Sequence, residues 1–171
     1  MNIKKIINST LQFTINRVIE IIGIGISIVG LLVFISLISY SPDDPNFIFP
    51  ENTEIKNLLG FQGSYVSDIF FQSIGIISYL VPITLFITGI NIFSNKDLFL
   101  IIENLFFSIL YCLLGALFLS FFYDRAFNLY INGNGGFVGN YLNQSLFGNL
   151  INLQKNISNY ILLILIFSLF L

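Results

Sequence analysis

Long apolar runs alternate with short polar segments along this chain, and the runs have the length of membrane-crossing helices. Residues 21–40 form a stretch of twenty residues without a charge, and about twenty helical residues cover a hydrocarbon core of roughly 30 Å. The pattern predicts spans at about Val18–Tyr40, Ile69–Phe93, Leu98–Tyr123 and Ile157–Leu171. A cleaved signal peptide has a shorter apolar stretch of about 7–15 residues, which favours a retained first span.

These spans predict an all-α fold, an integral membrane four-helix bundle whose fourth span is truncated. Only 15 residues of that span are present, Ile157–Leu171, and a crossing needs about 17–25 residues. We therefore expect the natural polypeptide to continue beyond Leu171. Pro82 lies near the middle of the second span and is expected to kink it, because proline cannot donate a hydrogen bond to the Ser78 carbonyl.

The basic residues predict the orientation in the membrane. Lys4, Lys5 and Arg17 precede the first span, whereas the loop Ser41–Asp68 has a single basic residue, Lys56. The acidic residues of that loop are Asp43, Asp44, Glu51, Glu54 and Asp68. Lysine and arginine are enriched on the cytoplasmic side of membrane proteins. Residues 1–17 are therefore predicted to form a cytoplasmic N-terminal tail, and the loops after the first and third spans are predicted to be external.

The stretch SYSPDDPNF, residues 39–47, ends the first apolar run abruptly. Pro42 and Pro45 cannot continue a helix, and Ser41-Pro42-Asp43 suits a turn with proline at its second position. We interpret Asp43 and Asp44 as parts of a solvated turn. The alternative is a cation site, but no further carboxylate follows at a recognised ligand spacing.

The second external loop, Asp124–Asn156, contains the glycine-rich stretch NGNGGFVGNYLNQSLFGNL. Its glycines lack the Gly-Lys-Ser/Thr of a P-loop and the preceding strand of a dinucleotide-binding fingerprint. After the glycines, apolar and small residues recur at helical spacing: Val138, Tyr141, Leu142, Ser145 and Leu146. The spacing predicts a short amphipathic helix at the membrane interface or against the bundle, ending at Gly148.

Composition supports a membrane protein and limits its chemistry. The chain is 56% hydrophobic and 9% charged, with a mean hydropathy of +0.87, whereas about a quarter of the residues in a soluble domain are charged. It has no histidine and one cysteine, Cys112, which excludes Cys/His nucleophiles, zinc sites and disulfides within this chain. Three carboxylates lie near span ends, at Glu20, Asp68 and Glu103. We favour interfacial placement for them over a proton or ion path.

Small residues in two spans predict close helix contacts. Gly23, Ser27 and Gly30 lie in the first span, and Gly115 and Ala116 in the third. Small side chains let the backbones of membrane helices approach each other. We interpret them as packing sites within the chain, with a dimer seam as the alternative.

Three motifs in this order resemble the N-terminal membrane domain of the FtsK/SpoIIIE DNA translocases. They are LISYSPDDPNF at the first exit, NLLGFQGSYVSDIFFQSIGIISYLVPITLFITGI through the second span, and GGFVGNYL in the second external loop. The resemblance covers nearly the whole chain from Val18 onward. The positions taken as candidate partner-contact or loop-packing residues are Tyr40, Ser41, Pro42, Asp43, Asp44, Pro45, Gly60, Gly63, Gly135, Gly136 and Gly139.

The resemblance implies a membrane anchor and septum-targeting domain that acts in cell division and chromosome segregation. In this family the membrane domain, here residues 18–171, is followed by a cytoplasmic linker and a hexameric P-loop ATPase that pumps DNA. It implies placement in the inner membrane at the division septum, contacts with septal proteins, and homo-oligomers formed through the motor.

The motor itself is not expected in this chain. The sequence contains no Gly-x-x-x-x-Gly-Lys-Ser/Thr, and its few basic residues form no DNA-binding patch. We therefore expect this chain to be no enzyme and to bind no cofactor, with ATP and DNA bound only beyond Leu171.

A small polytopic transporter or channel subunit is the alternative. Transporters and channels typically have charged residues near the middle of the membrane, or broken helices at matching positions in two repeated halves. Pro82 interrupts the second span, and the third span has no matching break.

Overall fold

The computed structural model describes residues 3–45, 54–123, 132–145, 149, 151 and 155–171, and these residues contain no β-strand. The helices with described bounds are α1 (Ile3–Ile38), α2 (Gly60–Ile74), α3 (Leu80–Asn95), α4 (Phe99–Phe122), α5 (Gly136–Asn143) and α6 (Lys155–Phe170). A 3-10 helix, Gly75–Tyr79, joins α2 to α3. The predicted all-α class is confirmed.

Within the residues that the structure describes, three helical stretches are long and apolar enough to cross a membrane. They cover Ile7–Ile38, Gly60–Asn95 and Phe99–Phe122, whereas α6 is a shorter apolar helix of 16 residues. The structure therefore has the character of a membrane helical bundle, and the fourth span stays a prediction. Helix α1 begins at Ile3, so most of the predicted N-terminal tail continues the first span as one helix.

Helices α1 and α3 pack closely because glycines lie where their backbones meet. Gly23 lies against Gly89 and Phe93, while Gly30 lies against Pro82 and Phe86. The order of these contacts makes the two helices antiparallel. The hydroxyl of Ser27 adds a hydrogen bond of 3.2 Å to the Phe86 carbonyl. The prediction of close contacts within the chain is confirmed for this face.

The chain bends sharply between α2 and α3. Gly75 has a positive φ of 69°, with ψ −146°, a backbone conformation that is open to glycine because it has no Cβ. Gly63 and Tyr79 would lie about 24 Å apart on a straight helix. Yet the Ser36 hydroxyl lies 2.6 Å from the Gly63 carbonyl, and the Tyr79 hydroxyl lies 3.3 Å from the Leu37 carbonyl. Helix α2 therefore folds back over the end of α1, and the predicted span Ile69–Phe93 crosses this bend.

Pro82 lies just after the bend, in the first turn of α3. The N–H groups of the first turn have no partner within their own helix, so proline costs little there. The break in regular α-helix comes before it, at Gly75–Tyr79. Pro82 is buried against Gly30 of α1.

Helix α4 holds the second half of the domain together. A buried apolar cluster of Leu117, Phe118, Ile151 and Leu162 joins α4 to α6. On another face of α4, Gly115 lies against Ile77 of the 3-10 helix. The C-terminal half of α4 is thus the most enclosed part of the helix, while its N-terminal half exposes large apolar residues such as Ile102, Leu105 and Phe106.

We expect Gly23→Ala to destabilise the domain by about 1–3 kcal/mol, because the added methyl must push two packed backbones apart. Its Cβ would lie 2.7 Å from the Gly89 carbonyl oxygen and 2.8 Å from the Phe93 nitrogen. Gly25→Ala is the matched control, since nothing lies within 4 Å of its Cβ position. Unfolding of both purified variants in mixed micelles by SDS titration, followed by circular dichroism, tests the prediction. Equal stability of the two variants would contradict it.

Candidate functional site

The motif at the first exit folds around a buried carboxylate. Asp44 is only 1% exposed, and its two oxygens accept hydrogen bonds from the backbone N–H groups of Lys56, at 2.8 Å, and Asn57, at 2.9 Å. The expectation of a solvated turn is therefore wrong for Asp44. Its carboxylate fastens the two ends of the loop to each other, because those N–H groups precede α2 and need an acceptor.

Asp43, the adjacent residue, has the opposite environment. Its side chain is 72% exposed and lies 2.9 Å from the ammonium of Lys56. The hydrogen bond to Asp43, together with the negative charge of this carboxylate, raises the pKa of Lys56 above its ordinary value. Of the two aspartates, Asp43 is thus the one presented to the surroundings.

Asn57 links the loop to both α1 and α2. Its amide nitrogen donates to the Ser36 carbonyl at 2.9 Å, and its amide oxygen accepts from the Leu59 N–H at 3.1 Å. A Cβ on Gly63 would overlap the Asn57 amide oxygen, and Gly60 has φ +66°. In the segment Asn57–Gly63, Gly60 therefore lies where the backbone turns, and Gly63 leaves room for the Asn57 side chain.

Further hydrogen bonds fasten the exit to α2. The Tyr40 hydroxyl donates to Asp68 at 3.3 Å, and the Ser64 hydroxyl donates to the Pro45 carbonyl at 3.1 Å. The Tyr40 and Phe71 rings are in contact, with centroids 4.9 Å apart. Asp68 is buried, so this carboxylate belongs to the packing of the exit.

The glycine-rich stretch packs against α4 and the bend. Helix α5 confirms the predicted short helix, although it begins at Gly136, within the glycines. Gly135 and Gly139 lie so close to the Ala116 carbonyl and Ser120 that a Cβ at either position would overlap them. Gly136 has φ +63° and lies against Ser73 and Gly75. The predicted helix end, Gly148, and the acidic residue Glu51 of the first loop lie outside the described residues.

Both loops bind the segment from α2 to the bend. The first loop binds near the start of α2, and the second loop binds near its end and at the 3-10 helix. The Ile76 N–H donates to the Asn134 carbonyl at 3.0 Å, and the Asn132 amide donates to the Gln72 carbonyl at 3.2 Å. Asn140 of the second loop accepts from the Ser120 hydroxyl of α4 at 2.7 Å, and it donates to the Asn132 carbonyl within the loop at 2.7 Å. We call this assembly, residues 39–45, 54–79 and 132–145, the loop cap.

Large side chains lie exposed on the loop cap. Leu58 and Phe61 are exposed at the start of α2, and Phe137 and Tyr141 are exposed on α5, with their rings stacked at 6.3 Å. The sequence pattern identifies Tyr141 only as part of a helical repeat, and it does not single out Phe137. The sequence pattern did not predict the hydrogen bonds of Asn57, Asn132, Asn134 and Asn140 either. Asparagine near turn glycines often binds the backbone, so their positions could have indicated this role.

The other two candidate carboxylates lie away from the loop cap. Glu20 forms ion pairs with Arg17 and with Lys96, the latter at 2.7 Å, where α1 passes the end of α3. Glu103 is exposed near the start of α4. Within the described residues, no group of three or more His, Cys, Asp or Glu residues could hold a metal ion.

The long apolar helices and the loop cap at one end define a multi-pass inner-membrane protein that resides in a lipid bilayer. Its family is shown by the match of residues 16–171 to the 4TM region of DNA translocase FtsK/SpoIIIE. The chain therefore belongs to the FtsK/SpoIIIE family and matches its membrane region. The resemblance seen in the sequence is confirmed.

Curated relatives agree with this assignment. The chain is 35% identical over 85 residues to the DNA translocase FtsK of Rickettsia bellii, covering 50% of this chain and 11% of the relative. The chain is 33% identical over 87 residues to the DNA translocase FtsK of Rickettsia prowazekii, and the match covers 49% of this chain and 12% of the relative. The Shewanella oneidensis DNA translocase FtsK is 27% identical over 125 residues, which cover 70% of this chain and 14% of the relative. No solved structure matches the chain.

Replacing Asp44 should loosen the loop cap far more than replacing its neighbour. Asp44→Ala removes the acceptor of two N–H groups, and each buried donor left without a partner costs about 1–3 kcal/mol. Asp43→Ala removes the exposed ion pair with Lys56, and such pairs contribute little. Limited proteolysis of the first loop in detergent measures the difference. Faster cleavage of the Asp44 variant alone is expected, and equal cleavage rates would contradict the role of the buried carboxylate.

Proposed function

We propose that this chain is the membrane anchor and septum-targeting domain of a bacterial DNA translocase that acts in cell division and chromosome segregation. The family match and the name of the relatives, DNA translocase FtsK, support this reading. The aligned region covers between 11% and 14% of three such relatives. That small share supports a motor, with its ATP and DNA sites, in sequence other than residues 1–171.

The observation that carries the targeting proposal is that both loops bind one segment, from α2 to the bend. The first loop binds the start of α2 and the glycine-rich loop binds its end and the 3-10 helix, and Leu58 and Tyr141 are exposed there. Exposed aromatic and large apolar residues outside the lipid are typical of protein-binding surfaces. In this proposal the buried residues Asp44, Gly135 and Gly139 shape the loop cap, and Asp43, Phe137 and Tyr141 contact a septal partner.

The proposed orientation places the loop cap in the periplasm. Lys4, Lys5 and Arg17 lie toward the opposite end of α1, and basic flanks favour the cytoplasmic side. With this orientation the chain presents its basic end to the cytoplasm, where DNA and ATP are found, and its loop cap to the proteins of the dividing envelope.

Cysteine accessibility tests the orientation. In a Cys112→Ser background, Leu58→Cys and Tyr141→Cys should react with an impermeant thiol reagent added outside intact cells. Asn95→Cys, at the end of α3, should react only after the cells are permeabilised. All three positions are exposed in the protein. A difference in labelling therefore reports the side of the membrane on which each position lies. Labelling of Asn95→Cys alone in intact cells would overturn the orientation.

Localisation of a fluorescent fusion in dividing bacteria tests the targeting role. The chain should concentrate at midcell, and Phe137→Ala combined with Tyr141→Ala should lower that enrichment severalfold while membrane insertion is retained. Phe106→Ala combined with Ile102→Ala is the matched control, because both residues are exposed on α4 away from the loop cap. Midcell enrichment that is unchanged in the Phe137/Tyr141 variant would assign targeting to another part of the protein.

A further inference from the structure

A charged cluster lies at the end of the domain opposite the loop cap. The Glu20 carboxylate contacts two cations, Arg17 on the same helix and Lys96, the residue that follows α3. Glu20 is 13% exposed and Arg17 is 58% exposed. Arg17, Glu20 and Lys96 together carry a net charge of +1, with the Arg17 side chain at the surface. The carboxylate of Asp97, the next residue after Lys96, accepts a hydrogen bond from the Phe99 N–H at 2.9 Å.

The cluster lies at the depth expected of lipid headgroups. Arg17 and Ser39 are separated by 22 positions, and α1 is helical up to Ile38, which gives about 33 Å between them. That distance matches a hydrocarbon core of roughly 30 Å. When the first exit lies at one membrane surface, Arg17 therefore lies at the other.

Aromatic rings flank both cations. The Arg17 guanidinium lies 4.9 Å from the centre of the Phe13 ring, and the Lys96 ammonium lies 4.6 Å from the centre of the Phe93 ring. Phe13, Phe93 and the neighbouring Ile21 are exposed. Exposed apolar side chains beside fixed cations offer contacts to an acyl chain as well as to a headgroup.

We propose that Arg17 and Lys96 bind the phosphate of an anionic phospholipid. Glu20 holds Arg17 through its NH1 nitrogen, so Nε and NH2 of the planar guanidinium remain to donate to phosphate oxygens. The Lys96 ammonium adds a second positive charge beside them. A lipid is favoured over a free anion because Phe93 and Ile21 would contact its acyl chain. This site depends only on residence in the bilayer and is independent of septal targeting.

Native mass spectrometry of the purified full chain, titrated with phosphatidylglycerol, tests the proposal. Each basic residue near a membrane surface contributes about 1 kcal/mol of attraction to anionic lipid, or about fivefold in affinity. Arg17→Gln and Lys96→Gln should each weaken phosphatidylglycerol binding about fivefold. Glu20→Gln should strengthen it, because the net charge of the cluster rises from +1 to +2.

Controls separate this site from general charge and from loss of fold. Lys56→Gln removes a cation at the opposite end of the domain and should leave binding unchanged, and circular dichroism checks the helicity of every variant. Phosphatidylcholine, which has no net charge, should bind less well than phosphatidylglycerol. Equal binding of the two lipids, unchanged binding in Arg17→Gln, weaker binding in Glu20→Gln, or displacement of phosphatidylglycerol by an equal concentration of inorganic phosphate would each overturn the proposal.

Discussion

A break in a helix leaves buried backbone polar groups that need partners from elsewhere in the chain, and the architecture of the loop cap follows from this constraint. At the bend the Gly75 N–H donates to the Phe71 carbonyl, and the Ile76 N–H donates to the Asn134 carbonyl. The second acceptor comes from a loop 58 positions further along the chain. The glycine-rich loop and the bent helix are therefore parts of one hydrogen-bonded structure.

Polar residues have two separate tasks at this end of the domain. Asp44, Asn57 and Asn134 are buried, and their hydrogen bonds hold backbone segments in place. Asp43 and Tyr141 are exposed and contribute to the surface. Two neighbouring aspartates with different environments show that the charge of a motif does not by itself define what a partner can contact.

The helical architecture was predictable because it follows from run length and composition. A close helix contact of α1 within the chain was also predictable, since Gly23, Ser27 and Gly30 recur on the first span, but its partner α3 was not. The bend was not, because the residues around Gly75 are apolar enough to read as one continuous span. The burial of Asp44 could not be predicted either, because its partners Lys56 and Asn57 lie across a loop and depend on the tertiary fold.

Helix α1 is longer than a bilayer crossing requires. Its 36 residues span about 54 Å, of which about 21 Å, from Ile3 to Arg17, precede the cluster of Arg17, Glu20 and Lys96. A continuous helix behaves as a stiff rod over this distance. A change of 10° in the tilt of α1 within the membrane therefore moves Ile3 by about 4 Å relative to Arg17. Small rearrangements among packed helices are in this way converted into larger displacements at the start of the chain, with α1 acting as a lever.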